Sequence, residues 1–127
     1  MKRGLLNHLL IVLPVVLLAY TQLVLKWQAN AVGGAAALDR GVVSYFLAML
    51  LNPWTATAIL ASLCAMLSWF IVLGLFPISY AYPFVSLSFL LVGIGGVVIL
   101  GEHMNIFRLS GLVLIVIGVF MTAKGQF

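Results

Sequence analysis

Charged residues are scarce in this chain: they make up 6% of its 127 residues, against about 25% in a typical soluble domain. Acidic residues number two and cysteine one, which leaves no acidic pair for a hydrolase and no cysteine pair for a disulfide or a metal. The six basic residues are scattered and form no nucleic-acid patch. We therefore expect no enzyme, cofactor, metal site or nucleic-acid partner, and we expect Cys64 to be a small buried hydrophobe.

Hydrophobic residues, in contrast, make up 65% of the chain, and the mean hydropathy is +1.30. A hydrocarbon core of roughly 30 Å takes about 20 helical residues, so four crossings fit with short loops and five would leave almost none. We predict an all-α integral membrane protein, with one four-helix transmembrane domain over residues 1–127. The predicted spans are about 5–27, 53–73, 78–100 and 108–123.

The connections between these spans differ in character. Residues 28–41 contain three glycines and are predicted to form a flexible loop. Residues 42–51 are apolar but too short to span, so they form either an interfacial helix or an early extension of the next crossing. Asn52-Pro53-Trp54 is typical of a helix start at the membrane interface. The very short turn over 74–77 predicts an antiparallel hairpin of the second and third spans.

Basic residues give no firm orientation, because each side of a four-helix topology carries three of them. They are Lys2, Arg3 and Lys124 on the terminal side, and Lys26, Arg40 and Arg108 on the other. The N-terminal cluster favours termini in the cytoplasm, although a near-tie is also typical of a dual-topology or antiparallel-dimer protein. No small-residue cleavage site follows the first apolar run, so we predict a retained helix rather than a signal peptide.

Small residues predict close helix contacts. In the second span one stripe is formed by Trp54, Ala58, Ala61, Ala65 and Ser68. In the fourth span Gly111, Ile115, Gly118 and Thr122 share a stripe, which we expect to contact a helix within the protomer or across a dimer. The glycines of Gly93-Ile94-Gly95-Gly96 are interpreted as a packing surface.

A polar stripe at the end of the first span is the best candidate for a functional site. Gln22, Lys26 and Asn30 are spaced i, i+4, i+8, which places them on one helix face. Charges within a membrane are costly and indicate function by default. The alternative is that Lys26 extends to the interface near its helix end, but such a lysine needs no glutamine one turn deeper.

The topology adds further polar residues to the same side of the membrane. They are Glu102, His103 and Arg108, with Asp39 and Arg40 on the preceding loop. Lys26 and Glu102 either neutralise each other or leave a cation that attracts an anion, of which phosphate is the commonest in membranes. On the opposite side, Trp69, Tyr80 and Tyr82 either anchor the hairpin at the interface or line a cavity.

Three segments resemble the small multidrug resistance-like branch of the drug/metabolite transporter superfamily. They are the run Pro77-Ile78-Ser79-Tyr80-Ala81-Tyr82-Pro83, the pair Gly101-Glu102, and the glycine-flanked run from Gly111 to Val119. Within that branch, Gln22, Lys26 and Asn52-Pro53-Trp54 resemble the Arn-type subunits that flip aminoarabinose-phosphoundecaprenol. The resemblance covers nearly the whole chain.

This resemblance implies a four-helix homodimer or heterodimer in the inner membrane of a Gram-negative bacterium. It implies translocation of a polyprenyl-phosphate-linked sugar for lipid A modification, with membrane lipids as further partners. The substrate-binding residues expected are Lys26, Gln22, Asn30, Glu102, Arg108 and Tyr82. Drug exporters of the branch use a glutamate in the first span, and this span has no acidic residue. A small multidrug or metabolite exporter is therefore the second interpretation, and an accessory membrane subunit the third.

Overall fold

The computed structural model describes residues 2–125, and this part of the chain is helical without a strand. The helices are α1 (Lys2–Ala31), α2 (Gly34–Arg40), α3 (Val42–Leu50), α4 (Pro53–Leu75), α5 (Ile78–Val85), α6 (Leu87–Val98) and α7 (Ile106–Lys124). Segments long and apolar enough to cross a membrane are Gly4–Ala31, Pro53–Leu75, Ile78–Val98 and Ile106–Lys124. The predicted all-α fold with four candidate spans is confirmed. The side chains of Lys2 and Arg3 lie outside the described part, so the orientation stays a prediction.

Helix α1 packs along α4 and also contacts α5 and α6. The hydroxyl of Thr21 donates a hydrogen bond to the carbonyl of Ala58 at 3.2 Å, and the rings of Trp27 and Trp54 meet edge to face with centroids 5.5 Å apart. In these contacts the residue numbers increase along α1 while those of the partners on α4 decrease, so the two helices run antiparallel.

The small-residue stripe of α4 is buried, as predicted. Its members are Thr55, Ala58, Ala61, Ala65, Ser68 and Val72. Trp54 is half exposed rather than buried. The buried stripe begins instead at Thr55, which lies three positions before Ala58 and therefore on the same helix face. Cys64 is exposed on α4, so its interpretation as a buried residue was wrong: it lies off the stripe that contacts α1.

The prediction of a flexible loop over residues 28–41 was wrong. Helix α1 continues to Ala31, and α2 occupies most of the remainder, because its Ala-rich sequence is strongly helix-forming. Glycines mark the breaks, with φ of 110° at Gly33 and 152° at Gly41, values that side chains rarely adopt. Residues 42–50 form the separate helix α3, not an extension of α4. Asn52 caps α4, since its Oδ1 accepts from the Trp54 amide at 3.0 Å.

The third span is a broken helix. The short turn after Leu75 makes α4 and α5 the predicted hairpin. Pro83 has no amide hydrogen to donate to the preceding turn, and the Ser86 amide bonds to the Pro83 carbonyl at 3.1 Å. Helix α5 therefore ends at Val85 and α6 begins at Leu87.

Glycines of α6 form the packing surface that the sequence suggested. A Cβ built on Gly95 would lie 2.6 Å from a methyl of Leu23 on α1, and one on Gly93 would lie 2.8 Å from a methyl of Leu112 on α7. In contrast, Gly111 and Gly118 have nothing within 4 Å of such a Cβ. The two glycines of the predicted α7 stripe therefore make no close helix contact within the described protomer, whereas Ile115 and Thr122 of that stripe are half-buried. A contact of this stripe across a dimer stays a prediction.

Candidate functional site

The predicted site residues line three separate cavities of the described chain. Gln22 and Lys26 share one, Glu102 and Arg108 share a second, and Tyr82 lies in a third. Asn30 is exposed near the end of α1 and lines none of these. The polar stripe of α1 is thus divided, with its first two members together.

The cavity around Lys26 has a volume of about 510 Å³ and opens to the protein surface. This volume is within the range of roughly 300–1,000 Å³ for small-molecule sites. Helix α1 forms one wall, α3 a second and the start of α4 a third. Its lining residues are Gln22, Leu25, Lys26, Ala29, Tyr45, Phe46, Met49, Leu50, Thr55 and Ile59. We name it the Lys26 cavity.

Lys26 is the cationic group of this cavity, and its side chain is exposed. Within the described range, no carboxylate oxygen comes within 4.0 Å of its ammonium. Glu102 lines a different cavity, so the two residues do not neutralise each other as an ion pair in this protomer. The remaining walls carry no charge, which leaves the ammonium available to an anion.

Two buried polar side chains of the α1–α4 region have an unpartnered oxygen. The hydroxyl of Thr55, which lines the cavity, and the amide oxygen of Gln28 have no hydrogen-bond partner. Both residues are 3% exposed. Such atoms are uncommon in folded proteins and destabilise them by about 1–3 kcal/mol each. Sequence reasoning missed both; the available signal for Thr55 was a polar residue in register with the small stripe of α4.

The second cavity, of about 320 Å³, lies between the end of α6 and the start of α7. Arg108 donates from its guanidinium to the carbonyl of His103 at 3.1 Å, and its amide donates to Asn105 Oδ1 at 2.9 Å. The Glu102 carboxylate lies close to Gly96, where a Cβ would be 3.0 Å from Oε2. Backbone contacts therefore position both charged residues of this cavity.

The third cavity, of about 270 Å³, is almost entirely apolar. It is lined by Pro14, Leu18, Ser62, Ala65, Met66, Trp69, Tyr82 and Val85. The rings of Trp69 and Tyr82 have centroids 6.2 Å apart at one end. Tyr80 is instead buried with Ile11, Val72 and Ala81, so of the three predicted aromatics two line a cavity and one belongs to the core. We name this cavity the apolar groove.

These side chains favour binding over bond-making chemistry. The Lys26 cavity offers an ammonium and an amide, which are groups that bind phosphate oxygens, and the Thr55 hydroxyl is buried in its wall. No group of three histidine, cysteine or acidic side chains that could hold a metal occurs in the part of the chain that was searched. The arrangement suits an anionic ligand with an apolar portion.

Several curated proteins are similar to this chain, and they are named "Probable 4-amino-4-deoxy-L-arabinose-phosphoundecaprenol flippase subunit ArnE". The protein of Pseudomonas syringae pv. syringae is 31% identical over 85 residues, 67% of this chain and 77% of the relative. That of Photorhabdus laumondii is 27% identical over 109 residues, 86% of this chain and 84% of the relative.

The protein of Enterobacter sp. is 34% identical over 68 residues, 54% of this chain, and the match spans 64% of the relative. No family model matches the chain. No solved structure matches it. The relatives are named as subunits of a flippase.

Proposed function

Since the chain belongs to the ArnE family of flippase subunits, we propose that it is one subunit of a flippase for a polyprenyl-phosphate-linked aminoarabinose. The relatives carry this substrate in their names. The proposed location is the bacterial inner membrane, where the lipid-linked sugar crosses for later use in lipid A modification. Transport of an intact lipid breaks no covalent bond, so the proposed role is not enzymatic.

The Lys26 cavity is the main structural support for this proposal. An ammonium without a carboxylate partner attracts the phosphate of the lipid, and Gln22 on the same helix face supplies an amide donor. A hydrogen bond to a charged group contributes about 1.5–3 kcal/mol, which is enough to orient the head group. Glu102, Arg108 and Asn30 lie outside this cavity, so we propose no direct contact between them and the phosphate bound at Lys26.

Transport requires a path across the membrane, which one small protomer is not expected to provide alone. Only 6% of the residues in the apolar window of α7 are buried by the rest of the described chain. We propose that the working unit contains a second subunit, either another copy of this chain or a paralogue. The accessory-subunit interpretation differs because it requires no ligand at Lys26.

A small multidrug or metabolite exporter is disfavoured by the chemistry of α1. A cation exporter coupled to protons needs a carboxylate that binds both in turn, and α1 contains none. The cation at Lys26 repels a quaternary ammonium compound. Resistance assays with such compounds are therefore expected to show no protection.

Flipping of an isotopically labelled lipid-linked aminoarabinose in proteoliposomes tests the proposal. We expect accelerated exposure of the sugar on the far leaflet when the chain is reconstituted with its partner subunit. Lys26→Ala is expected to abolish most of this acceleration. A rate equal to that of empty liposomes, with a homologous partner present, would overturn the proposal.

A further inference from the structure

The Lys26 cavity and the apolar groove lie on the same side of the α1–α4 pair. On α1, Pro14 and Leu18 line the apolar groove, and Gln22 continues that face into the Lys26 cavity at the same four-residue spacing.

On α4, the lining positions Thr55, Ile59, Ser62, Met66 and Trp69 follow each other at spacings of three and four. Because α1 and α4 run antiparallel, the two cavities succeed each other along one continuous face.

The position of the apolar groove suits the tail of a lipid whose phosphate is at Lys26. At a rise of about 1.5 Å per residue, Leu18 lies about 12 Å and Pro14 about 18 Å from Lys26 along α1. Leu18 is near the middle of the apolar segment Gly4–Ala31. A lipid bound at Lys26 would therefore extend its tail towards the centre of the membrane.

The chemistry of the apolar groove changes sharply from that of the Lys26 cavity. Along its length the one hydroxyl is that of Ser62, which already donates to the carbonyl of Ile59 at 2.8 Å, and the other polar groups, the Tyr82 hydroxyl and the Trp69 indole N–H, belong to the aromatic pair. Met66 is a flexible thioether that adapts to irregular hydrocarbon. The aromatic pair Trp69 and Tyr82 closes the far end.

We propose that the apolar groove binds the isoprenoid units of the polyprenyl chain that follow the first one, since the first unit is too short to reach Leu18 from a phosphate at Lys26. This inference rests on the proposed function, because its occupant is identified by continuity with the phosphate site. The Lys26 cavity selects the phosphate, and the apolar groove selects the attached hydrocarbon. The protomer thus binds the lipid by two adjoining subsites of different chemistry.

Binding of prenyl phosphates of increasing length to the purified protein in nanodiscs tests this. The probes are dimethylallyl, farnesyl and undecaprenyl phosphate, and variants are compared at a fixed chain length so that partition into the bilayer cancels. Met66→Trp fills the apolar groove, and Leu67→Trp is the matched control. Met66 and Leu67 are neighbours at 47% and 58% exposure, and Leu67 lines neither cavity.

We expect Met66→Trp to weaken farnesyl and undecaprenyl phosphate binding about tenfold, the equivalent of fewer than two buried methylenes. Dimethylallyl phosphate binding should not change, and Leu67→Trp should bind all probes like the parent. Leu18→Trp, which fills the apolar groove from α1, should repeat the pattern if Met66→Trp does not fold.

The outcomes separate this inference from the proposed function. Equal effects of Met66→Trp and Leu67→Trp at every chain length would overturn the tail subsite. A change of oligomeric state in Met66→Trp alone would also overturn it, because a second copy of the chain would then be the occupant. Lys26→Met should weaken the binding of all probes alike. If it weakens the binding of none, while Met66→Trp still weakens only the longer probes, the phosphate site is overturned and the tail subsite is retained.

Discussion

The exposed ammonium of Lys26 and the buried, unpartnered hydroxyl of Thr55 line one cavity from two helices. The first belongs to the end of α1 and the second to the first turn of α4, which pack against each other along their length. We expect both side chains to contribute to anion binding, and substitution of each one tests this.

Thr55→Val separates binding from stability. The change removes an unpartnered hydroxyl while keeping the shape of the side chain, so we expect the melting temperature in detergent to stay level or rise. Flipping, or phosphate-dependent binding, should fall several-fold. Thr57→Val is the control. It removes a hydroxyl that is hydrogen-bonded to the Tyr20 hydroxyl at 3.0 Å, so this variant should lose stability and keep function. Parental flipping by Thr55→Val would remove Thr55 from the site.

Thr21→Val tests the contact between α1 and α4. Its hydroxyl is shared between the carbonyl of Leu17 on its own helix at 3.0 Å and that of Ala58 on α4 at 3.2 Å. Cross-helix hydrogen bonds in membranes contribute about 0.6 kcal/mol on average. We expect a small decrease in unfolding free energy, measured by denaturant titration in micelles. The control is Thr122→Val, because the Thr122 hydroxyl donates only to Gly118 of its own helix; equal losses in both variants would argue against a role for the cross-helix bond.

Gly95→Ala should loosen the packing of α6 on α1. The added methyl would lie 2.6 Å from Leu23, and overpacking of this kind costs about 1–3 kcal/mol. The Leu23→Ala change should rescue stability in the double variant, because it removes the clashing methyl groups. Gly74→Ala is the control, since nothing lies within 4 Å of a Cβ there. A Gly95→Ala protein as stable as Gly74→Ala would contradict the close contact.

Lys26 and Glu102 are expected to act independently. They line different cavities, and energies of residues that share no partners add within about 0.3–0.5 kcal/mol. A double-mutant cycle of Lys26→Met and Glu102→Gln, measured on lipid-phosphate binding, should therefore show no coupling. A coupling energy well above that range would place the two charges together in the working assembly.

Sequence reasoning predicted the features that depend on local chemistry. The start of α4 at Asn52 and Pro53 follows from capping, and the buried Ala58 face follows from helical spacing. The prediction failed where glycines were interpreted as flexibility, because Gly33 and Gly41 end helices while the Ala-rich segment between them folds.

The candidate site was only partly accessible from sequence. The i, i+4 spacing placed Gln22 and Lys26 together, but Asn30 drifts away because a helix turn is 3.6 residues. Whether the Thr55 hydroxyl finds a partner depends on packing between helices, which no local pattern shows. The separation of Glu102 from Lys26 likewise depends on packing between helices, which places the two residues in different cavities.

Substitution of Lys26 in a flipping assay is the most direct test of the phosphate site. Lys26→Arg should retain appreciable transport, although a guanidinium is bulkier and forms a forked contact. Lys26→Met keeps the apolar stem and should lose about 10- to 100-fold in substrate affinity. Lys124→Met, which removes the same charge near the end of α7, should transport like the parent. Parental transport by a normally inserted Lys26→Met protein would contradict the phosphate site.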